Sequence, residues 1–463
     1  MAEEKLHKDQ LETGVEGGHP SLDLVRDCQD CIERGDKERL LKLSKDLHSA
    51  DLGALFELLD KQDRVDLAEA IKGELDPAVL TELEGAAFED VVSVMEPKEL
   101  AEAVSQLETD DAVYVLEEMD DVEEQRQVLK EVSPEDRLAI EKSLSYPEDS
   151  AGRLMQRDLV AVPEHWSVSK TLEYLQKTKD LPENFYEIFV VNPKHQPIGT
   201  MPLSRVIKTK PTIKVADIMK LEQTLIPVEE DQEVAANRFR QYNLISAAVV
   251  DAGGRLVGVI TVDDIVDVID EEAEEDILAL AGVREGDVNV SVRDITKTRS
   301  VWLVINLGTA ILASYFISLF EGSIEKLVAL AILMPIVASM GGNAGSQVMT
   351  VAVRALAMNE LTTANLLRVL KKEALGGLVN GVLLALLAGG LAALWFSSRD
   401  LGLVIAAAMV INIFIAALAG ILIPVALERY KIDPAVASSI LVTTITDIVG
   451  FVAFLGLAAW FLF

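Results

Sequence analysis

Basic residues, histidine, cysteine and aromatics are all scarce in this chain. Its 463 residues hold 42 Lys and Arg against 75 Asp and Glu, a formal net charge of −33. A surface this acidic repels nucleic acid and anionic lipid head groups, which excludes a nucleic-acid partner. It attracts cations, and crowded carboxylates bind hard divalent ions through oxygen. The five histidines (His7, His19, His48, His165, His195) are scattered, with no nucleophile–base pairing and no phosphate loop, so the chain does not read as an enzyme. The two cysteines, Cys28 and Cys31, form a C-x-x-C inside an expected helix. No second ligand pair accompanies them for zinc and no βαβ context for redox chemistry, so they read as an incidental reduced pair. The opening MAEEKLHKDQ lacks an apolar signal region, and this part is expected to stay cytoplasmic.

Charge is missing in another sense from the last third. Ser300–Phe463 holds eight acidic and eight basic residues, which leaves 67 acids and 34 bases, and the whole net charge, before residue 300. Five apolar stretches are expected to span a bilayer, at about 300–320, 327–353, 374–396, 401–427 and 436–463. Their only charge is Asp447, in Thr443-Thr444-Ile445-Thr446-Asp447. A carboxylate at that depth costs about 2.5–3.5 kcal/mol, a cost that suggests use. A carboxylate beside hydroxyls suits a hydrated hard cation, and a second copy across a dimer axis would double a thin site. Basic residues flank one side of the spans: Lys297 and Arg299, then Arg354, Arg368, Lys371 and Lys372, then Arg429 and Lys431. The positive-inside rule therefore puts the N-terminal domains in the cytoplasm and Phe463 outside.

Span two carries Pro335 and the run Gly341-Gly342-Asn343-Ala344-Gly345-Ser346-Gln347. Proline and glycines are expected to loosen this helix. Asn343 and Gln347 put two amides on one face, so a pore lining is expected here. Gly376, Gly377 and Gly381 of span three read instead as close helix packing. Asp433-Pro434 caps the last span.

From about Leu22 to Leu144 short amphipathic helices recur, with starts marked at Asp76-Pro77, Glu96-Pro97, Thr109-Asp110-Asp111 and Ser133-Pro134. This spacing suggests a small α-solenoid-like stack. A repeat follows: Met155 through Pro163 resembles Met219 through Pro227, and Val190-Val191-Asn192 with Gly199 matches Val249-Val250-Asp251 with Gly258. The difference in offset falls in the loop around Lys179–Asn184. Each copy reads as strand, helix, strand, turn, strand and helix, and the pair resembles tandem CBS domains. Nine acids then crowd Asp263–Asp276 on a helical pattern. Like charges at three and four residues destabilise a helix unless cations neutralise them, which suggests a divalent-dependent helix beside the membrane.

Taken together the chain resembles the MgtE family of magnesium channels, on the Pro335…Gly341-Gly342-Asn343…Gln347 run, Asp433-Pro434-Ala435 and Thr444-Ile445-Thr446-Asp447. The resemblance implies a multidomain fold: a flexible tail (1–21), an acidic all-α solenoid-like N-domain (22–145), α/β tandem CBS domains (146–210 and 211–262), an acidic connecting or plug helix and linker (263–296), and a five-helix α transmembrane domain (297–463). It implies a homodimer in the cell membrane that imports Mg²⁺, with spans two and five lining the pore, Asp447 as ion site and Gly341, Gly342, Asn343, Gln347 and Thr444 beside it. It implies regulatory Mg²⁺ ligands at Asp90, Asp110, Asp231, Glu233, Asp264, Asp267, Glu272, Glu275 and Asp276, with Asp433 at the pore mouth. Tyr114 and Asn243 stand where the family pattern has acids. It also implies a CBS module able to take ATP, the ribose-type acid being Asp263 in copy two, with Ser204 at the equivalent place in copy one. Two alternatives fit the same residues: an ion-coupled carrier of another divalent cation, and a membrane-anchored Mg²⁺ or nucleotide sensor that does not transport.

Overall fold

The computed structural model describes residues 15–16, 19–119, 121–178, 181–182, 184–283, 292–358 and 360–463. The expected flexible tail falls mostly outside the described residues, as do 284–291 of the expected linker and part of the Lys179–Asn184 loop. Two compact units divide at Asp270/Glu271.

In the first unit, an antiparallel strand pair (β1, Val15–Glu16; β2, His19–Pro20) precedes nine short helices among the described residues. They are α1 Leu22–Arg34, α2 Lys37–Asp46, α3 Ser49–Leu58, α4 Lys61–Ile71, α5 Gly85–Val92, α6 Pro97–Val104, α7 Thr109–Glu117, α8 Val122–Glu131 and α9 Pro134–Leu144. The starts are set by capping chemistry. Ser133 accepts a hydrogen bond from the Asp136 amide with Pro134 in the first turn, and the Glu96 amide donates to Glu99. One expected start differs: Asp76-Pro77 opens a 3₁₀ turn, Pro77–Glu82, closed by the Thr81 hydroxyl donating to the Ala78 carbonyl. One core runs through the stack, with Leu55, Phe56, Leu67, Leu80, Phe88 and Leu116 fully buried. Cys28 and Cys31 are free thiols inside that core. Burial pushes the Cys28 thiol up to about 12, which keeps it inert.

The repeat folds as two matching three-stranded sheets. After the short α10 (Ala151–Leu154), copy one has β3 Ala161–Pro163, α11 Val168–Lys177, β4 Glu187–Val191, β5 Pro197–Pro202 and α12 Leu203–Lys208. After α13 (Val215–Ile218), copy two has β6 Leu225–Pro227, α14 Gln232–Tyr242, β7 Ser246–Val250, β8 Leu256–Thr261 and α15 Val262–Leu280. In each sheet the first pair is parallel and the second antiparallel, with a bulge at Val190/Val191 and again at Val249/Val250. The copies exchange contacts reciprocally: Gln156 bridges Val259 while Lys220 bridges Thr200. A Cβ on Gly258 would meet the Gln156 carbonyl oxygen at 2.8 Å, and one on Gly199 the Lys220 carbonyl oxygen at 2.7 Å. Both glycines are needed because two backbones pass here. Ser246 donates to Glu187, the residue at its own place in the other copy. The expected boundary at 262 shifts: Ile265 and Val268 of α15 belong to the copy-two core, so the first half of the acidic helix is part of that domain.

The second unit holds α16 Val292–Ser318, the short α17 Glu321–Lys326, α18 Ala329–Ala357, α19 Leu366–Trp395, α20 Arg399–Arg429 and α21 Pro434–Phe461. Five of these helices are long and apolar enough to cross a membrane. α20 is the most enclosed, packed against α18, α19 and α21. The outward surface is leucine and tryptophan, among them Leu386, Leu394, Trp395 and Trp460, as a lipid-facing surface requires. Glycines set the α19–α20 approach: a Cβ on Gly377 would lie 2.7 Å from Ala417, and one on Gly389 2.8 Å from the Gly402 carbonyl oxygen. Gly376 has open space beside it within this chain. The expected loosening of span two is not found. α18 runs unbroken through Pro335, because at membrane depth no water competes for its remaining hydrogen bonds.

Candidate ion pathway and acidic regulatory sites

α18 and α21 pack along a seam of small residues. A Cβ on Gly345 would lie 2.6 Å from Val442, and one on Gly342 4.0 Å from the Thr446 hydroxyl. Gly341 is buried at the same junction against Asn412 of α20. The glycine run expected to line a pore therefore divides, with Gly341 and Gly345 packing inward while Asn343 and Gln347 stand exposed on another face. Asp447 follows the fully buried Thr446 and is half-buried. Its carboxylate has no hydrogen-bond or ion-pair partner among the described residues. Thr444 is half-buried and donates to the Ile440 carbonyl at 2.6 Å, leaving its oxygen free to accept from water. Asp433 caps α21 by accepting from the Ala435 amide at 2.7 Å.

Next to the cap lies the end of α15. Ala279 and Leu280 pack with Met349 and Val353 of α18 and with Ala435 and Val442 of α21. Burial first, then Asp433 and Glu275, raises the Asp276 carboxyl. Asp276, Glu275 and Asp433 thus share one neighbourhood, and Glu272 lies one turn before it on the same helix.

The second acidic gathering lies within the first unit, where α7 meets the start of α15. Burial raises the Asp110 carboxyl, with Asp264, Asp111 and Glu108 adding to it. Its Oδ1 is buried without a hydrogen-bond partner. Glu108 is pushed up to about 7 by burial and by Asp111, Asp264 and Asp263. Asp264 is pushed up to about 6 by burial, although Thr261 donates to it from its hydroxyl at 2.8 Å. Burial, Asp270 and Asp263 raise Asp267, and Glu82 is raised by burial and by Asp267. Glu82, Glu108 and Asp111 belong to this group yet were not singled out from sequence; Asp111 was legible only as part of a helix start. Asp263 belongs to it as well, so the expected nucleotide acid faces carboxylates.

Other expected ligands stand apart. Asp90 is buried in ion pairs with Lys61 at 3.2 Å and Arg64 at 3.6 Å. Asp231 caps α14 by accepting from the Glu233 amide at 2.9 Å, with Glu233 in the first turn. Asn243 takes a left-handed conformation at the C-cap of α14 (φ 51°), and Tyr114 is exposed on α7. Among the described residues, no three His, Cys, Asp or Glu side chains form a ready-made metal cage.

Similar proteins agree with this division. Residues 334–457 match the family described as MgtE, divalent cation transporter, residues 47–149 the MgtE intracellular N domain, and residues 215–271 the CBS domain. The magnesium transporter MgtE of Thermus thermophilus is 33% identical over 449 residues, covering 93% of this chain and 96% of that protein. The magnesium transporter MgtE of Bacillus subtilis is 31% identical over 326 residues, covering 70% of this chain and 72% of that protein. A solved structure, the cytosolic domain of the Mg²⁺ channel MgtE in complex with ATP, is 30% identical with a TM-score of 0.48, covering 53% of this chain and 100% of that one. By its membrane helices, its CBS pair and its likeness to these relatives along nearly its whole length, the chain belongs to the MgtE family of divalent cation transporters.

Proposed function

We propose that this protein is a homodimeric Mg²⁺ channel that imports the ion through α18 and α21 and closes when cytosolic Mg²⁺ binds its acidic groups. The observation that carries the reading is the mid-span Asp447, a half-buried carboxylate without a partner among the described residues. Left against lipid it would be costly, so a water-filled path shared with a second copy is the arrangement that accounts for it. Mg²⁺ dehydrates reluctantly, and one carboxylate per chain, with Thr444 one turn before it on the same helix, suits an ion held through its waters. The relatives named magnesium transporters favour Mg²⁺ as the cargo.

Closure follows from differential binding. Asp110 and Asp264 repel each other when drawn together, as do Asp111 and Asp267, and as Glu275 and Asp433 each repel Asp276. A divalent ion removes that repulsion only in the drawn-together state, so it shifts the population toward it. Because α15 ends against α18 and α21, its position is the natural gate. With the positive-inside rule, this end faces the cytoplasm. The carboxylates around Asp263 repel a triphosphate, so regulation is assigned to the cation rather than to ATP.

Reconstituted Mg²⁺ uptake tests the reading. Asp447→Ala should insert and assemble yet take up no more Mg²⁺ than empty vesicles; unchanged uptake would remove the pore assignment.

A further inference from the structure

Asn412 is the one strongly polar side chain between Leu401 and Leu427 of α20, and it is fully buried at mid-span. Its Nδ2 donates to the Val337 carbonyl of α18 at 2.8 Å. Its Oδ1 is buried with no hydrogen-bond partner. Two glycines make room for this amide from opposite helices. A Cβ on Gly341 of α18 would lie 2.1 Å from Nδ2, and a Cβ on Gly450 of α21 would lie 2.7 Å from it. No other side chain could stand at either position without displacing Asn412. One amide from a third helix thus touches both helices assigned to the pore.

The placement matters because of what lies beside each glycine. Gly341 opens the run Gly342-Asn343, and Gly450 comes one turn after Asp447. A leucine has the same branched four-heavy-atom shape and carries no oxygen to leave unpaired, so filling this space alone does not call for an amide. The chain instead keeps an amide whose donor is used and whose acceptor is not. Polar side chains inside a membrane bundle mark function more often than packing.

We propose that Asn412 is a positioning residue for ion passage: a wedge that fixes the spacing and register of α18 against α21, and so the distance between Asp447 and the Asn343 face. This rests on the pore reading above. Asn412 need not touch the ion. It acts through the helices whose separation it sets, as supporting side chains do around any site that tolerates little misplacement.

The test is Mg²⁺ uptake, with Ca²⁺ as competitor, by the full-length protein in proteoliposomes. Asn412→Leu is expected to insert and assemble as the unsubstituted protein does. Its maximal uptake should fall about tenfold or more, and its half-saturating Mg²⁺ and its discrimination against Ca²⁺ should both shift, as misplacement by about an ångström does elsewhere. Maximal uptake, half-saturation and discrimination all unchanged would overturn the proposal. Gly341→Ala alone should be impaired by collision with the amide, and combining it with Asn412→Ala relieves the collision without restoring the hydrogen bond. Uptake should stay low in that pair; full recovery would reduce the contact to volume alone and overturn the wedge. The pair also decides the matter should Asn412→Leu fail to insert. Asp447→Ala is run beside them. If it still conducts, the pore reading falls and the role of Asn412 with it, whereas a silent Asp447→Ala with a normal Asn412→Leu removes only the wedge.

Discussion

Asp90 already has cations of its own. Arg64 and Asp90 are each almost fully buried, and Lys61 approaches the same carboxylate from the surface. The Nε and Nη1 of Arg64 have no hydrogen-bond partner, so the pair is held by charge rather than by good geometry. Such a pair adds little net stability, but removing one partner strands a buried charge. Asp90→Ala is therefore expected to destabilise the cytosolic unit by about 3–5 kcal/mol, read by denaturant unfolding. The gain in stability on adding Mg²⁺ should survive in this variant. Loss of the Mg²⁺ effect with little loss of stability would return Asp90 to the ligand set that family likeness suggested. Sequence could not separate these roles, because an acid at a family position looks the same whether a lysine or an ion neutralises it. Asn412 was not singled out from sequence, although a single amide in an otherwise apolar span is itself a signal; its glycine neighbours are the part only packing reveals.

At the scale of elements, periodicity carried most of the information. The shifts of 64 residues between β3 and β6 (161 to 225) and of 59 between β4 and β7 (187 to 246) were readable from the matched Met, Val-Val and Gly positions. Those residues recur because the copies cross each other there, so the same backbone approach is required twice. α15 was harder, since its apolar residues serve two cores in succession: Ile265 and Val268 in copy two, then Ala279 among the membrane helices. Where α7 meets α15 a titration follows. Glu108 at about 7 and Asp264 at about 6 lie above their ordinary range because burial and neighbouring acids disfavour the charged form. A raised carboxyl stabilises the packed arrangement when protonated, and that contribution is lost as pH rises through about 6 to 7. Without Mg²⁺, the α7 amides should thus be well protected from hydrogen exchange at about pH 5.5 and weakly protected at about pH 8. Mg²⁺ should restore protection at the higher pH and add little at the lower. Equal Mg²⁺ effects at both would contradict this account of the cluster.

For the whole molecule, the uneven charge was the most telling property of the sequence, and the proposed gate gives it a physical role. The first unit bears nearly all the excess negative charge, and a chain so charged resists compaction unless counter-ions gather. Monovalent ions screen such repulsion at a distance, but they cannot bridge two carboxylates as a divalent ion does. In the proposed gate the end of α15 is where bridging would bear on passage, since Glu275, Asp276 and the Asp433 cap share one neighbourhood beside α18 and α21. Replacing Glu275 with Gln and Asp276 with Asn removes the repulsion and the ion-binding charge together. Mg²⁺ then has no differential affinity for the closed arrangement at this point, and a ligand without differential affinity shifts nothing. In patch recordings of the full-length protein, the cytosolic Mg²⁺ needed for half-inhibition should rise roughly tenfold, the change that about 1.4 kcal/mol of lost differential binding gives. Single-channel current should not change, because the proposed path runs past Asp447 and not through these two residues. Unaltered inhibition in this double variant would place the gate elsewhere than the end of α15. A fall in single-channel current would instead make these acids part of the conduction path.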